Sequence, residues 1–492
     1  MFSMFNSLQQ FEEIGTKKMS EVIESFIKDP KDMASLVYGI QKEVIALGLA
    51  IIKETLEECN QALVESPKRR QEWEVVKTDI KQLVTSLGTI EFEKTLFKRK
   101  GEKERCYLLD RIMNTESKNR LSEDAEAALL KEAVQTSYRR GGEAASLTDK
   151  VSKQTVKNKI HKLKFPTMKE EPKRKKVVEY LYIDADEDHV KLQFNDKKGD
   201  LVVGENSRKN NGIISKLVYV YEGVEPVAPR SKRNRLINPY TISGVYSGED
   251  NNVLWDQVYQ YIENTYDMSK IKKIYLNADG GGWIKAGEKR LAGVTFVLDE
   301  FHLNQYLFRM TSHMLDSTKD AVNELRRAIR RETKKEFLDI VERLEEQAKT
   351  PATLKRISEG SSYILSNWMA ARRRLLRRDK ICGCSAEGHV SHILSARMSS
   401  RPMGWSRLGV DKMSHLRAYV QNKGDLLELV RFQREELPKA VGYDYDLIIG
   451  TGDIRSNKKA GYEAGKYEEA ITHSVGESIK KKVWFSSHIW GL

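Results

Sequence analysis

The sequence predicts an α/β protein in which a layered core of strands and helices lies between largely helical regions. Two strand-like segments, VVEYLYIDADEDHVKLQF and IISKLVYVYEGV, are followed by a third, TISGVYSG, and then by alternating helix and strand. Residues 306–380 and 1–83, in contrast, have apolar side chains at helical spacing. Strands that pass into alternating strands and helices are typical of a sheet covered by helices.

The N-terminal part is predicted to contain a helical region, residues 1–83, and a small β-rich unit, residues 84–122. The helical region includes MASLVYGIQKEVIALGLAIIKETLEECNQAL and is expected to pack or self-associate. In the second segment, TSLGTIEFEKTLFKRK alternates apolar and polar residues, as a half-buried strand does. Both a structural hairpin and a DNA-contacting hairpin fit this second pattern.

Residues 123–165 are predicted to form a helix-turn-helix DNA-binding domain. The segment SYRRGGEAASLTDKVSKQTVKNKIHKL reads as a helix, a turn and a second helix, with Ser152 as the N-cap of the second. The side chains expected to face DNA together are Lys153, Gln154, Lys157 and Asn158. Those expected to face a core are Val151, Val156 and Ile160. An ordinary basic helical pair is the other interpretation.

The acidic segment YIDADEDHV places Asp184, Asp186 and Asp188 on one face of a hydrophobic strand. Like charges crowded on a partly buried surface are unfavourable, and a divalent cation would relieve the repulsion. Carboxylate oxygens are hard ligands that suit Mg²⁺ or Mn²⁺. The alternative is a strand that runs out into solvent, where acidic residues cost little.

The clearest single motif is IYLNADGGGWIKAG, in which a buried strand ends on Asp279 and three glycines follow. Ligands of α/β sheets gather at the carboxyl ends of strands, and glycines allow a backbone to approach them closely. The spacings of the dinucleotide-binding and phosphate-binding glycine loops are absent, which argues against a nucleotide site.

A third carboxylate, Glu387, is expected to begin a helix in CGCSAEGHVSHILSARM. Zinc is disfavoured there because Cys382 and Cys384 are separated by a single residue and no second cysteine pair exists. Two strand carboxylates and a distant helical glutamate meet the requirement of two-metal phosphoryl transfer, which would use two Mg²⁺ or Mn²⁺ ions.

The composition favours a polyanionic partner and a reducing compartment. Lys and Arg outnumber Asp and Glu by 84 to 71, a formal net charge of +13 that suits nucleic acid. Four cysteines in 492 residues are no disulfide framework. We expect a cytoplasmic, nucleoid-associated bacterial protein without membrane contact, because no signal peptide is evident and the apolar run VIALGLAII is too short to span a bilayer.

Three motifs of the chain resemble those of a known enzyme family. The motifs ADEDHV, LNADGGGWI with LDEFHLNQY, and EGHVSHILSARMSSRPMGWS resemble those of the Lre-type insertion-sequence transposases of bacteria. Those enzymes are similar to the broader Mutator-like DDE group, which has a ribonuclease-H-like catalytic core. The resemblance extends over roughly residues 5–440.

The resemblance implies Asp186, Asp279 and Glu387 as catalytic and metal-binding residues, with Asp184 as the alternative for the first aspartate. It divides the core into residues 178–305 and 381–440, which are separated by a helical insertion, 306–380. Residues 166–177, with two prolines and a charge run, form a basic linker, and 441–492 a polar tail. His302 matches a family histidine, although Asp299 or Glu300 stands where a cysteine is expected; a core histidine is the other interpretation.

The implied activity is that of a DNA transposase, which cleaves the ends of an insertion sequence and joins them to target DNA. The implied partners are double-stranded DNA, both terminal inverted repeats and target, and further copies of the chain, at least as a dimer. Phosphates would be held by arginines of the insertion, which a solvated helical face explains equally well: Arg326, Arg327, Arg330, Arg331, Arg372, Arg373 and Arg374.

Three rivals to the transposase remain. A metal-dependent nuclease without strand transfer would use the same fold and carboxylates. A non-catalytic helix-turn-helix regulator would have no need of Asp279 at a strand end. An RNA-processing ribonuclease is disfavoured because no RNA-binding module is evident.

Overall fold

The computed structural model describes residues 6–166, 174–194, 202–203, 209–291, 293–377, 380–401 and 403–434. The chain forms two compact units. The first contains Met1–Ala133, Ser137–Val156 and the chain from Val430, and the second contains Val134–Thr136 and Lys157–Leu429. The predicted tail, 441–492, and most of the predicted linker, 166–177, lie outside the described residues.

The first unit combines helices with a three-stranded antiparallel sheet in the order β1-β2-β3. Its strands are β1 (Trp73–Val84), β2 (Thr89–Arg99) and β3 (Arg105–Cys106). Its helices are α1 (Asn6–Gln10), α2 (Thr16–Lys28), α3 (Met33–Glu65), α4 (Pro67–Glu72), α5 (Leu108–Ile112), α6 (Glu123–Ala133) and α7 (Tyr138–Ala144), with a π-helical turn at Phe11–Gly15.

The prediction that the N-terminal region is helical as far as residue 83 is wrong at its C-terminal end, because β1 begins at Trp73. The spacing of Trp73, Val76, Ile80 and Leu83 also fits a helix, which explains the error. The segment is rich in β-branched residues, and it pairs with β2 from Trp73 to Val84. That long-range pairing outweighs the local spacing.

The strand predicted in residues 84–122 is confirmed by β2, whose side chains alternate in burial. Ile90 and Phe92 are buried, whereas Glu91 and Glu93 between and beyond them are exposed. The buried face packs against α3, where Leu63 is fully enclosed. One apolar cluster thus holds the sheet on the long helix.

Helix α3 is 33 residues long and is, by length and composition, apolar enough to cross a membrane, with a mean hydropathy of 1.5 over its most apolar window. Its C-terminal half contributes Ile52, Leu56 and Leu63 to the cluster on β2. Its N-terminal half leaves Val37 and Val44 exposed. Helix length and composition alone do not distinguish a membrane helix from one that packs in a folded unit.

The two helices predicted for residues 123–165 are present as α7 and α8 (Lys153–Lys162), and the boundary between the units falls within α8. The predicted cap is confirmed, since the Thr155 amide donates to the Ser152 hydroxyl at 3.1 Å. Val156 is fully buried. A Cβ atom on Gly142 would lie 2.0 Å from the Val151 carbonyl oxygen, so only glycine permits the close approach of α7 to the start of α8.

The second unit contains a mixed five-stranded sheet in the order β10-β7-β4-β11-β12. The strands of this sheet are β4 (Tyr180–Lys191), β7 (Gly212–Tyr221), β10 (Tyr240–Gly244), β11 (Lys273–Ala278) and β12 (Val294–Leu298). Four short strands form two separate two-stranded sheets: β5 (Val202–Val203) with β6 (Lys209–Asn210), and β8 (Gly223–Pro226) with β9 (Asn234–Ile237). Strand β7 is antiparallel to both of its neighbours, β10 and β4, and strands β4, β11 and β12 are parallel.

Helices cover this sheet and confirm the predicted mixture of strands and helices. They are α9 (Asp250–Thr265), α10 (Gly282–Arg290), α11 (Glu300–Thr311), α12 (Thr318–Arg331), α13 (Lys334–Glu346), α14 (Pro351–Ser366), α15 (Trp368–Leu376), α16 (Ala386–Val390), α17 (Ala396–Met398), α18 (Arg407–Gln421) and α19 (Leu426–Phe432). Short 3-10 and π turns lie at Met268–Lys270, Ser312–Ser317 and Ser391–Ser395.

The core of the second unit is continuous from the sheet to the helices of residues 306–380. Trp255 of α9 and Leu276 of β11 belong to the same buried cluster as Ile329 of α12 and Ile364 of α14. The helical character predicted for this segment is therefore accompanied by a packed apolar face.

Candidate active site

Two of the predicted site residues belong to neighbouring parallel strands. Asp186 is in the middle of β4, and Asp279 directly follows β11. The last paired residues of the two strands are Asn277 and Asp184, so each aspartate lies two residues beyond that pair. Adjacent strands are about 4.8 Å apart, and the negative charge of Asp279 acts on Asp186.

The third predicted residue, Glu387, lies in the first turn of α16, and this short helix packs against β4. The pKa of Asp186 is raised to about 7, first by burial and then by the negative charges of Asp279 and Glu387. All three carboxylates therefore act electrostatically on one place, although they come from distant parts of the sequence. The Glu187 amide, which donates to Asp186 at 2.8 Å, and His302 oppose this rise.

His302 lies close enough to Asp186 and Asp279 for their charges to act on it. Asp299 follows β12, caps α11 and bonds the Nδ1 atom of His302 at 2.8 Å. That bond raises the pKa of His302, and the charges of Asp279 and Asp186 raise it further. The histidine is thus half-buried beside the carboxylates, and Asp299, the residue that stands where a cysteine was expected, holds it there.

Asp184, the alternative for the first aspartate, is placed quite differently. Its side chain is fully buried, and its two oxygens accept hydrogen bonds from four donors. The donors are Tyr219 Oη at 2.7 Å, Tyr221 Oη at 3.0 Å, Asn277 Nδ2 at 2.7 Å and the Ser385 amide at 3.0 Å. This saturation favours Asp186 as the carboxylate available to a ligand.

Asp188 also has its own structural contact. Its Oδ1 atom accepts a hydrogen bond from Ser399 at 2.9 Å, and the residue is buried. The three aspartates on one strand face therefore have different surroundings, and the alternation of side chains along the strand could not predict these differences.

The glycine loop after β11 shapes the position of Asp279. Gly280 has φ of +86°, and a Cβ atom there would lie 2.6 Å from the side-chain oxygen of Asn367. The Gly281 amide donates to Asp279 Oδ1 at 2.9 Å, and the Tyr363 hydroxyl donates to the Asp279 carbonyl at 2.7 Å. Helix α14 thereby helps to fix the aspartate.

The carboxylate set fits a hard divalent cation by its chemistry. Asp186, Asp279 and Glu387 offer only oxygen donors, which hard divalent cations prefer. Among the described residues no group of three His, Cys, Asp or Glu side chains is placed to hold a metal ion.

The residues predicted to bind DNA differ in their accessibility. On α8, Lys153, Gln154 and Asn158 are exposed and Lys157 is half-buried. On α12, Arg330 is exposed, whereas Arg326 donates to the side chain of Asn304.

The arginines of α15 make contacts within the protein. Arg372 forms an ion pair with Glu332 at 3.3 Å, and Arg373 donates to the Phe296 carbonyl at 2.9 Å. Arg374 is 1% exposed, so the expectation that it holds phosphates is wrong. A run of three arginines suggests a solvated face, and sequence reasoning missed that one of them is enclosed.

Comparison with known proteins gives a consistent family. Residues 27–436 match the model of a family described as "Uncharacterised protein family (UPF0236)". A UPF0236 protein of Caldanaerobacter subterraneus subsp. tengcongensis is 36% identical over 415 residues, which is 84% of this chain and 83% of the relative. A second UPF0236 protein of that organism is 35% identical over 418 residues, with 84% and 83% covered.

A more distant relative comes from Streptococcus gallolyticus, where it is named a UPF0236 protein in the vanSb 3' region. It is 23% identical over 422 residues, which is 81% of this chain and 85% of the relative. The family match covers most of the described residues, including all three carboxylates of the site. The chain belongs to the UPF0236 family.

Proposed function

We propose that this protein is a DDE-type DNA transposase whose catalytic carboxylates are Asp186, Asp279 and Glu387. The observation that carries the proposal is that Asp186 and Asp279 belong to neighbouring parallel strands, two residues beyond the pair Asp184 and Asn277, with the helix of Glu387 packed against the first strand. This is the arrangement that two-metal phosphoryl transfer needs.

The order of the five-stranded sheet supports a ribonuclease-H-like core. From one side of the sheet to the other, the strands are the third, second, first, fourth and fifth along the chain. The second strand is antiparallel to both the first and the third, and the fourth and fifth are parallel to the first. A ribonuclease-H-like sheet has this order, and its acidic residues lie on the central strand and its parallel neighbour. The helices α12 to α15 then form the insertion that separates Glu387 from the two aspartates.

The names of the relatives supply an independent argument for a mobile element. The name of one relative joins eleven locus designations of a single genome, and another joins four. Repeated loci that share one protein name are expected when the coding DNA has been copied within a genome. A regulator or housekeeping nuclease has no evident reason to be present at eleven loci.

In the proposed reaction the two bound Mg²⁺ or Mn²⁺ ions would activate water, or a DNA 3′-hydroxyl, for attack on a phosphodiester and stabilise the leaving oxygen. Asp186 and Asp279 would hold the ions from adjacent strands, and Glu387 would complete the ligand set. Asp299 orients His302 and raises its pKa, which favours the protonated imidazole next to the negative charge of the reacting phosphate. Partial burial of Asp186 strengthens these electrostatic contacts.

The proposed partner is double-stranded DNA, with the exposed face of α8 on the terminal repeats and the exposed arginines of α12 on phosphates. Joining two DNA ends implies at least two copies of the chain on DNA. A bacterial cytoplasm with its nucleoid is the compartment that this partner implies.

The proposal is tested by transposition in cells. A selectable marker flanked by the native DNA that surrounds the gene is supplied on a plasmid, and the protein is supplied separately. We expect marker transfer to new loci with the wild-type protein and none with Asp279→Asn at equal protein levels. Transfer by both proteins, or by neither, contradicts the proposed catalytic role.

A further inference from the structure

We propose that Asp184 is a positioning residue for Glu387, because it anchors the chain segment that carries the glutamate. This inference rests on the proposed function for the role of Glu387, but the anchor itself is visible in the hydrogen bonds. This fully buried carboxylate was the alternative for the first catalytic aspartate, a role that its four hydrogen bonds disfavour.

The anchor lies two residues before Glu387. The Ser385 amide donates to Asp184 Oδ2 at 3.0 Å, and the Ser385 hydroxyl is 2.9 Å from Tyr219 Oη. Tyr219 also donates to the same Asp184 oxygen at 2.7 Å. Ser385 is the residue at which α16 begins, so this three-residue contact fixes the start of the helix.

Helix α16 (Ala386–Val390) continues without a gap into the π-helical turn Ser391–Ser395 and α17, so the contacts of Ser385 fix the start of one longer helical segment. A second contact restrains the same turn, since the His389 ring lies 4.4 Å from the Tyr219 ring and bonds the Ser385 carbonyl at 2.9 Å. Tyr219 and Asp184 together therefore orient the helix.

The anchor is also tied to the helices between the two parts of the core. Arg374 of α15 donates to Asn277 Oδ1 at 2.7 Å, and Asn277 donates to Asp184 Oδ1 at 2.7 Å. Arg374 donates as well to the Cys382 carbonyl at 2.6 Å, just before Ser385. A closed hydrogen-bonded path thus joins the helical segment, the central strands and the segment of Glu387.

The test compares Tyr219→Phe and Asp184→Asn with Tyr246→Phe, a control that removes a buried tyrosine hydroxyl bonded to Gln257, away from the anchor. Hydrogen–deuterium exchange of residues 385–390 is measured in the full chain, together with Mn²⁺ affinity by calorimetry. We expect about tenfold faster exchange in this segment and about tenfold weaker Mn²⁺ binding for both anchor variants, and neither change for the control.

A double variant separates positioning from general stability. In a Glu387→Gln background, Tyr219→Phe is expected to leave the residual Mn²⁺ affinity unchanged, because the ligand it positions is gone. Unchanged exchange at 385–390, or an additive loss of affinity in the double variant, overturns the inference. If Asp184→Asn does not fold, Tyr219→Phe carries the test. If the wild-type protein shows no metal-dependent DNA cleavage, the proposed function is refuted. The exchange rates of residues 385–390 still test whether Asp184 anchors this segment.

We also infer that the β8–β9 hairpin is an arm that contacts the phosphates of duplex DNA. Its tip carries Arg230, Lys232 and Arg233, all exposed, and the sequence from 226 to 248 contains no acidic residue. None of the three forms an ion pair with another described residue.

The root of the hairpin is held firmly, as an arm requires. Glu222 accepts hydrogen bonds from Lys176 at 2.9 Å, Tyr266 at 3.1 Å and Asn238 at 2.8 Å. Two-stranded ribbons of this width fit the major groove of DNA, with basic residues on the phosphates.

The salt dependence of DNA binding tests the arm. Removing three phosphate contacts with a triple Arg230→Ala, Lys232→Ala, Arg233→Ala variant is expected to reduce the slope of log affinity against log salt by about 2–3. The control removes equal charge at exposed Lys349, Lys355 and Arg356 and should retain the wild-type slope. Equal slopes for both variants overturn the arm, whereas a wild-type protein that binds no DNA overturns the proposed function.

Discussion

The pKa of Asp186 reflects the burial and the charges of the whole candidate site. This pKa is raised to about 7 because burial and two neighbouring carboxylates disfavour its charge. Residue type and motif resemblance led to Asp186, Asp279 and Glu387 in the sequence, and their catalytic role stays a prediction. The surroundings of Asp184 were not predictable, because its hydrogen-bond donor Ser385 is 201 residues away in the chain.

Neutralising Asp186 should stabilise the metal-free fold. A folded-state pKa above the usual value of about 4 means that ionisation opposes folding, so the cost is absent below pH 4, grows between pH 4 and about 7, and is constant at higher pH. Allowing for partial exposure, we expect Asp186→Asn to raise the free energy of unfolding by about 1–3 kcal/mol at pH 8 and by nothing at pH 4.

Denaturant unfolding in the presence of a chelator measures this difference. Addition of Mn²⁺ should then stabilise the wild-type protein more than the variant, because a cation offsets the repulsion only where the charge exists. A variant that is less stable than wild type at pH 8 would show that Asp186 is held by attractive contacts instead.

His302 owes its raised pKa first to Asp299. Replacing Asp299 with Asn should therefore lower the pKa of His302 toward its usual value of about 6.5, which NMR titration of the histidine ring measures directly. Asp267→Asn, which removes another capping aspartate, is the control and should leave the titration unchanged. An unaltered His302 titration in Asp299→Asn would remove the orienting role assigned to that residue.

At the scale of elements, the sheet and the helices of residues 306–380 followed from periodicity, whereas β1 did not. Trp73 to Val84 fits both helical and strand spacing, and its pairing with β2 decides the outcome. The role of α15 was also hidden, since Arg374 is buried by strands that lie far away in sequence. Local patterns cannot carry such long-range information.

The glycine loop between β11 and α10 gives a sharp element-scale prediction. Gly280→Ala should destabilise the fold by about 1–2 kcal/mol, because alanine is strained at positive φ and its Cβ atom would displace Asn367. Gly282→Ala, with open space around its added atom, should be nearly neutral. Thermal unfolding of both variants tests this, and equal stabilities would contradict the constrained loop.

We expect helix α8 to contact DNA bases as well as phosphates. A Gln154→Ala, Asn158→Ala variant is expected to lose preference for element-end DNA over random DNA by about 1–3 kcal/mol per lost base contact, with little change in salt dependence. Competition binding measures the preference. A uniform loss on both DNAs would show that these residues contact only the backbone.

At the scale of the whole molecule, the chain divides its length between two compact units, and the candidate site lies entirely within the second. The family match extends over both units, whereas the motifs that carry the resemblance lie in the second. The transposase proposal therefore depends on chemistry within one unit and on DNA contacts that both units can offer.

The central claim is most directly tested by incubating purified full-length protein with labelled element-end DNA and Mg²⁺ or Mn²⁺. The account predicts metal-dependent nicking and joined products with the wild-type protein and neither with Asp279→Asn. Cleavage without joining would indicate a nuclease instead. DNA binding without cleavage under either metal would contradict the catalytic account and favour a regulator.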